Sequence, residues 1–213
     1  MTLNLKNLLN PKVKMSKMGE FQELKAMEGL EISSVSADLY GDGRDDLTLF
    51  YFKDGANFAA VYTTSKVTSA CINWNLKVKR HFVKALMVNT KNANTFTGTK
   101  GAQGLKEVAQ TLSKALTLKS SQTPKGVSDV IKLTDLLFAS TGVIGEEFPH
   151  VKIKNRIPEL IKKLKIEQNK FVWFKAASAI MTTDTRPKVA YEECKMGNKL
   201  IKISGIAKGS GMI

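Results

Sequence analysis

Short β-rich runs alternate with amphipathic helical patterns along this chain, and this alternation limits the folds that it can adopt. Residues 47–52 and 57–62 are β-rich and flank the turn-forming residues 53–56, which predicts a short antiparallel hairpin. A long helix is predicted downstream, where the apolar residues of 105–116 recur on one face. Because helices alternate with strands while a hairpin is also expected, the pattern predicts a mixed α/β (α+β) layered fold, not a doubly wound parallel sheet.

The other predicted elements follow the same alternation. Strands are predicted around residues 85–88, 136–139, 189–191 and 199–206, and helices within 70–82, 152–165 and 171–180. The alternating pattern of the last strand is typical of a buried one. The first 28 residues are polar and lysine-rich, so we interpret 1–28 as an N-terminal extension and 29–213 as a single domain.

Composition places the chain among ordinary globular proteins, because 43% of its residues are hydrophobic and 24% are charged. No run approaches the roughly 18 apolar residues that a bilayer span needs, and the start is too polar for a secretory signal, so a cytoplasmic protein is expected.

Cys71 and Cys194 cannot form a disulfide framework or a regularly spaced metal site, and we predict buried, reduced thiols. His81 and His150 lie in different contexts, neither beside a nucleophile, which argues against a catalytic triad. The acidic residues within 41–46 lack the ligand spacing of a calcium loop and are interpreted as a surface turn.

The net charge of +14, from 33 basic and 19 acidic side chains, first suggests a polyanion partner. The lysines are nevertheless spread along the whole chain, and the densest stretch, residues 152–165, has the pattern of an amphipathic helix with a solvated basic face. No nucleic-acid-binding motif accompanies it. We therefore expect no nucleic acid partner and attribute the charge to anionic small molecules or an acidic partner chain, with a polyanion-binding module as an alternative.

Three segments could carry chemistry. A strand that ends in Ser140, Thr141 and Gly142 can bring a hydroxyl and backbone N–H groups to a ligand oxygen, as in an oxyanion hole, although a plain strand-to-turn junction has the same composition. Residues 182–185 (TTDT) could offer a hydroxyl to a substrate, or could form a turn in which the aspartate bonds nearby backbone. Lys208 stands in a glycine-rich turn without the spacing of a phosphate loop, so it is either a substrate-binding cation or a mobile surface lysine.

Taken in order, residues 139–145 (ASTGVIG), 182–185 (TTDT) and 207–213 (AKGSGMI) resemble the N-terminal (α) half of the ornithine acetyltransferase family, also called glutamate N-acetyltransferases. Residues 61–67 (VYTTSKV) resemble an early strand of the same family. The resemblance implies an α/β/β/α layered sandwich of the ornithine acetyltransferase and DmpA-like aminopeptidase type, completed by a β chain. It also implies a self-cleaving precursor, so that this α chain is expected to end a few residues before a threonine that becomes the N-terminal nucleophile of the β chain.

The resemblance further implies an arginine-biosynthesis enzyme that transfers acetyl from N-acetylornithine to glutamate through an acetyl-threonine intermediate and releases ornithine. Thr141 and Gly142 would stabilise the oxyanion, while Thr182, with Thr183 as second choice, and Lys208 would bind the substrate. No cofactor or metal is implied, an α2β2 heterotetramer is expected, and acetyl-CoA is an additional donor only in bifunctional members. A related N-terminal-nucleophile amidase or aminopeptidase, with water as acceptor, is the alternative.

The loop of residues 89–98 departs from the family pattern most visibly. Thr90 and Lys91 stand where that pattern has Ser-Gly, and Thr95 replaces an alanine, while the asparagines at 89, 92 and 94 are retained. Loss of the glycine argues against a positive φ at residue 91. If the substrate preference of this protein differs from that of the family, we expect the difference to arise first in this loop.

Overall fold

The computed structural model describes residues 24–121, 130–165 and 168–209. Its strands are β1 (Leu30–Val35), β2 (Leu47–Asn57), β3 (Phe82–Asn89), β4 (Leu136–Ser140), β5 (Lys188–Met196) and β6 (Lys199–Ala207). Its helices are α1 (Ala70–Asn75), α2 (Gly98–Ser121), α3 (His150–Lys162) and α4 (Lys170–Ala179), and a 3-10 turn, Leu133–Asp135, precedes β4. Residues 1–23 of the predicted N-terminal extension, and the last four residues of the glycine-rich motif, lie outside the described residues.

The first four strands form one sheet in the order β1-β2-β3-β4. The pairs β1–β2 and β2–β3 are antiparallel, while β3 and β4 are parallel and are connected through α2. Along β2 the side chains alternate between the two faces, as the strand period requires: Leu47, Leu49 and Tyr51 enter one core, and Phe50 and Phe52 pack on the other face. Both faces of the sheet are therefore covered.

The larger core lies between this sheet and a layer made by α2 and α3. The helices form because their apolar residues recur at helical spacing, and each burial of such a side chain contributes about 1.5–3 kcal/mol. The buried apolar helical residues are Leu105, Val108, Ala109, Leu112, Leu116, Ile153, Ile157 and Leu160. Both predicted helices are confirmed, and the basic face of α3 is partly neutralised by ion pairs of Lys154 with Glu107 and of Lys163 with Glu159.

The opposite face of the sheet is covered by α4 together with the hairpin of β5 and β6. Trp173 and Ala176 of α4 are buried against Leu30 and Ile32, and the hairpin adds Val189, Tyr191 and Ile206. The layers are thus helices, a four-stranded sheet, and then a second layer of helix and hairpin. The prediction of a mixed α/β layered fold is confirmed.

The predicted hairpin of residues 47–62 is wrong. β2 runs without interruption from Leu47 to Asn57, and residues 58–62 are not a strand. Residues 53–56 form a bulge and not a reversing turn: Gly55 has a φ of +81°, the Lys53 N–H donates to the Gly29 carbonyl at 2.7 Å, and the register with β3 shifts between Tyr51 and Ala56. Turn propensity is a local preference, and the pairing of β2 with β3 before and after the bulge outweighs it.

The prediction that residues 199–206 form a buried strand is right about the strand and wrong about its burial. β6 pairs with β5 alone, and Leu200 and Ile203 remain 51% and 54% exposed. Cys194, on β5 opposite Ile201, is exposed as well, whereas Cys71 is buried as predicted. Ile203 lies on the hairpin face opposite to Tyr191 and Ile206, and no element in the described ranges covers that face. Leu200 lies on the inner face but next to the hairpin turn, so alternation in β6 does not predict burial.

Candidate active site

The site begins with the register of the two parallel strands. Asn89, the last residue of β3, pairs with Ser140, the last residue of β4, so the loops that follow these strands leave the same edge of the sheet. The carboxyl ends of adjacent parallel strands are where α/β sheets commonly bind ligands. Thr141 and Gly142 lie at that edge, next to the loop of residues 89–98.

Three residues singled out from the sequence meet at this edge. The Lys208 Nζ donates hydrogen bonds to the Thr141 Oγ1 at 2.7 Å and to the Thr182 Oγ1 at 3.0 Å. Thr141 follows β4, Thr182 follows α4, and Lys208 follows β6, so the ends of three distant elements converge. Thr183, the second choice among the threonines, is exposed, and it is Thr182 that contacts the lysine.

The direction of these hydrogen bonds determines what the threonines can do. An ammonium group only donates, so both hydroxyl oxygens accept from Lys208, and each hydroxyl proton is left to be donated elsewhere. Burial lowers the pKa of Lys208 below its ordinary 10.5, the carboxylate of Asp184 opposes this, and the charge of Lys188 adds to it. The arrangement presents two hydroxyl donors beside a cation, which suits an oxygen atom that carries or develops negative charge.

Of the two backbone N–H groups predicted as oxyanion donors, those of Thr141 and Gly142, only one remains available to a ligand. The Thr141 N–H donates to the Asn89 carbonyl at 3.1 Å and so continues the sheet. No hydrogen bond from the Gly142 N–H is observed to any other described residue. The donors open to a ligand are therefore the Thr141 hydroxyl and the Gly142 N–H.

Gly142 is required by geometry. Its φ is +139°, and a Cβ at this position would lie 2.2 Å from the Lys91 carbonyl carbon and 2.3 Å from the Lys91 carbonyl oxygen. Both contacts are with backbone atoms, which cannot rotate away. The close approach of residues 91 and 142 therefore depends on the missing side chain.

Lys91 adopts a left-handed backbone conformation, although a non-glycine residue was expected to avoid it. Its φ is +73°, so the expected loss of the left-handed backbone is wrong. Two hydrogen bonds hold the loop in place: the Val143 N–H donates to the Lys91 carbonyl and the Ala93 N–H donates to the Val143 carbonyl, both at 2.9 Å. A non-glycine residue in this region costs about 1–2 kcal/mol, which the pairing with residues 141–143 offsets.

The retained asparagines of this loop are buried and bond to the protein. The Asn89 Nδ2 donates to the carbonyls of Thr90 and Asn92, and the Asn89 Oδ1 accepts from the Ser140 hydroxyl at 2.6 Å. The Asn92 Nδ2 donates to the Glu146 carbonyl at 2.9 Å, and the Asn94 Oδ1 accepts from the Thr97 hydroxyl at 2.7 Å. No role was predicted for these residues from the sequence. The recurrence of asparagine between a strand and a helix was the available signal, since Asn side chains bond backbone groups in irregular segments.

Asp184 is a further residue whose importance was not predicted from the sequence. It is 1% exposed, and its carboxylate accepts from the Lys188 Nζ and the Gly209 N–H, both at 2.6 Å, and from the Thr182 N–H at 3.4 Å. Burial alone would raise the pKa of this carboxyl, but the hydrogen bonds from Lys188, Gly209 and Thr182 outweigh burial and lower it. The expected bond to nearby backbone is present, and Gly209 is the distant partner that the sequence did not indicate.

Two structural absences apply to the described residues. Among residues 24–121, 130–165 and 168–209, no helix is long and apolar enough to cross a membrane. In the same ranges no group of three or more His, Cys, Asp or Glu side chains is arranged to hold a metal ion.

Comparison with known proteins gives one consistent family. The sequence profile of the ArgJ family matches residues 31–213. The chain is 38% identical over 200 residues to the arginine biosynthesis bifunctional protein ArgJ of Caulobacter vibrioides, covering 91% of this chain and 45% of the relative. It is 37% identical over 193 residues to the protein of the same name from Bartonella henselae, covering 90% and 43%. The chain thus spans less than half the length of these relatives.

Solved structures agree on the fold. The ArgJ structure from Bacillus halodurans superposes with a TM-score of 0.75 at 26% identity, covering 90% of this chain and 96% of that one. The ornithine acetyltransferase of Mycobacterium tuberculosis, solved in complex with ornithine, superposes with a TM-score of 0.74 at 24% identity and the same coverage. The layered fold is shared with both.

Proposed function

Because the chain belongs to the ArgJ family, we propose that it forms the α part of an acetyltransferase that moves an acetyl group from N-acetylornithine to glutamate. The observation that carries this proposal is the pair of hydrogen bonds from Lys208 to Thr141 and Thr182. The names of the relatives place them in arginine biosynthesis, and the structural neighbour from M. tuberculosis was solved with ornithine bound.

The proposed chemistry is a two-step acyl transfer. A threonine hydroxyl of a β chain adds to the acetyl carbonyl carbon, and the carbonyl oxygen becomes an oxyanion that accepts from the Thr141 hydroxyl and the Gly142 N–H. The C–N bond then breaks, ornithine leaves with the proton on its amine, and an acetyl ester remains on the threonine. The amine of glutamate attacks this ester through the same oxyanion site, forming N-acetylglutamate and returning the proton to the threonine.

In this proposal Lys208 and Thr182 bind the substrate, and Lys208 also strengthens the oxyanion donor. The Thr182 hydroxyl is free to donate to a carboxylate or amide oxygen of the substrate, because its oxygen already accepts from the lysine. The ammonium next to Thr141 polarises the hydroxyl that meets the oxyanion. Charge-assisted hydrogen bonds of this kind are about twice as strong as neutral ones.

We propose that the partner is a β chain of the same family protein and that the assembly is α2β2. The exposed apolar side chains on the outward face of the β5–β6 hairpin support this, since Met196 and Ile203, which the register places on the same face, are 67% and 54% exposed. Apolar surface of this kind marks a binding face when it is contiguous. A cytoplasmic location belongs to the same proposal and is supported by the free cysteines Cys71 and Cys194, which suit a reducing compartment.

The experiment is an acetyl-fate assay on the protein isolated with its co-purifying chains. N-acetylornithine labelled in the acetyl group is supplied with and without glutamate, and N-terminal sequencing shows whether a second chain begins with threonine. Label that appears in N-acetylglutamate only when glutamate is present supports the proposal. Release of labelled acetate instead supports the amidase alternative, and no turnover contradicts both. A parallel reaction with labelled acetyl-CoA tests the second donor.

A further inference from the structure

We propose that Asp184 is a positioning residue that holds the backbone next to Lys208 against Thr182, so that the lysine reaches both threonine hydroxyls. This inference rests on the proposed function only for its effect on catalysis, since the arrangement itself is a property of the described residues. Asp184 touches neither the Thr141 hydroxyl nor the Lys208 ammonium through any hydrogen bond seen in the described part of the chain. It acts through the residues on either side.

The geometry is a closed ring. The Asp184 carboxylate accepts from the Gly209 N–H at 2.6 Å and from the Thr182 N–H at 3.4 Å. Gly209 follows Lys208 in the chain, and the Lys208 Nζ returns to the Thr182 Oγ1 at 3.0 Å. One buried carboxylate therefore ties together two segments that are 25 residues apart.

Among the contacts described for this turn, only the hydrogen bond from the Gly209 N–H to Asp184 fixes the position of its backbone. β6 ends at Ala207, so Lys208 and Gly209 lie beyond the last pairing of the β5–β6 hairpin. Gly209 has a φ of +133°, and no atom lies within 4 Å of where its Cβ would be, so packing does not hold it. The hydrogen bond to Asp184 is what fixes the direction in which Lys208 leaves the strand.

The position of Lys208 relative to Asp184 can be followed through the pKa of the lysine, because charged groups surround it. Among the described groups, Asp184 and Lys188 are those that act electrostatically on Lys208, and they act in opposite directions. Lys188 also forms the ion pair with Asp184 at 2.6 Å. Removing the carboxylate should lower the pKa of Lys208 further, because the attraction is lost, whereas removing the Lys188 charge should raise that pKa, because the repulsion is lost.

The first test measures the Lys208 pKa in the purified assembly by NMR of dimethylated lysines, with the resonance assigned by its loss in Lys208→Met. We expect Asp184→Asn to lower this pKa and Lys188→Met to raise it. The matched control is Asp46→Asn, which removes another buried carboxylate that accepts two backbone N–H groups, those of Ala37 and Leu39. The control should leave the Lys208 pKa unchanged.

The second test measures KM and kcat for N-acetylornithine. Asp184→Asn should raise KM by about tenfold or more, as expected for a displaced charged hydrogen-bonding partner, and Lys188→Met, which keeps both backbone bonds of Asp184, should raise it less.

The proposal would be overturned if both variants shifted the Lys208 pKa in the same direction, or if neither variant shifted it. Should Asp184→Asn fail to fold, Asp184→Glu, which keeps the charge but displaces the carboxylate from the Gly209 and Thr182 N–H groups, takes its place, and an unchanged KM in that variant overturns the proposal. If the wild-type protein transfers no acetyl group, the proposed function fails while the NMR result still decides the role of Asp184.

Discussion

The Lys208 ammonium lies 2.7 Å from the Thr141 hydroxyl oxygen, although 67 residues separate the two in the chain. The contact joins the end of β4 in the four-stranded sheet to the end of β6 in the separate hairpin. It therefore couples the two layers of the fold at one point. Changes on either side of this point should affect the same chemistry.

Gly142→Ala should lower the free energy of unfolding by roughly 3–5 kcal/mol, because the new Cβ would overlap the backbone of Lys91 at 2.2 Å. Gly145→Ala is the matched control, since its φ is also positive at +82° but no atom lies within 4 Å of its Cβ position. The control should cost only the backbone strain, about 1–2 kcal/mol. Denaturant unfolding of both variants measures the difference, and equal losses would show that the close approach to Lys91 is unimportant.

Lys91→Gly should stabilise the protein by about 0.5–1 kcal/mol, because relief of the strain at φ +73° exceeds the added flexibility of the unfolded chain. Lys114→Gly, at an exposed position inside α2, should instead cost about 1 kcal/mol. Thermal unfolding of the two variants tests this. Destabilisation by both would mean that residue 91 does not hold the left-handed conformation in solution.

Thr141→Ala should reduce kcat for acetyl transfer by about 10²–10³, since one of the two donors to the oxyanion is lost. Its backbone N–H still donates to the Asn89 carbonyl, so the fold at the strand end should persist. Thr141→Ser keeps the hydroxyl and should stay close to wild type. Turnover of the alanine variant at the wild-type rate would make Thr141 a structural turn residue.

Lys208→Met should raise KM for N-acetylornithine by roughly 10- to 150-fold, the equivalent of about 1.5–3 kcal/mol for a charged hydrogen bond. Folding should be little affected, because both threonine partners stay half-exposed to water. Lys202→Met removes a neighbouring lysine of β6 whose Nζ bonds only the Ala26 carbonyl among described residues, and it should leave KM unchanged. Equal kcat/KM for wild type and Lys208→Met would remove Lys208 from the site.

Cys194 should react with a thiol reagent well before Cys71. Burial raises the pKa of the Cys71 thiol to about 12, with the Ser140 hydrogen bond opposing in part, so thiolate is scarce below pH 10. Cys194 is exposed on β5. Alkylation at pH 8 followed by peptide mapping gives the order, with Cys194→Ser identifying the faster site. Rapid labelling of Cys71 in the folded protein would contradict its burial.

Helices α2, α3 and α4 were predictable because their evidence is local. The apolar residues of α2 and α3 recur every three or four positions, and α4 is a mostly apolar run with Pro187 beyond its end, so no distant contact is needed to specify them. The functional motifs were likewise recognisable as residue types in order. Their proposed roles stay predictions, which the assays above test.

Two predictions from local pattern needed correction by the tertiary structure. Residues 53–56 have turn composition but form a bulge, because β2 resumes its pairing with β3 at Ala56. β6 alternates like a buried strand, but Ile203 stays exposed because, within the described ranges, its face of the hairpin has no cover.

The sequence by itself therefore determined the helices, the mixed α/β class and the identity of Thr141, Thr182 and Lys208 as candidate residues. Only the tertiary structure decided that Lys91 keeps a positive φ and that Asp184 links Thr182 to Gly209. The physical reason is range: side-chain periodicity acts over a few residues, whereas these hydrogen bonds join segments whose approach depends on how whole layers pack.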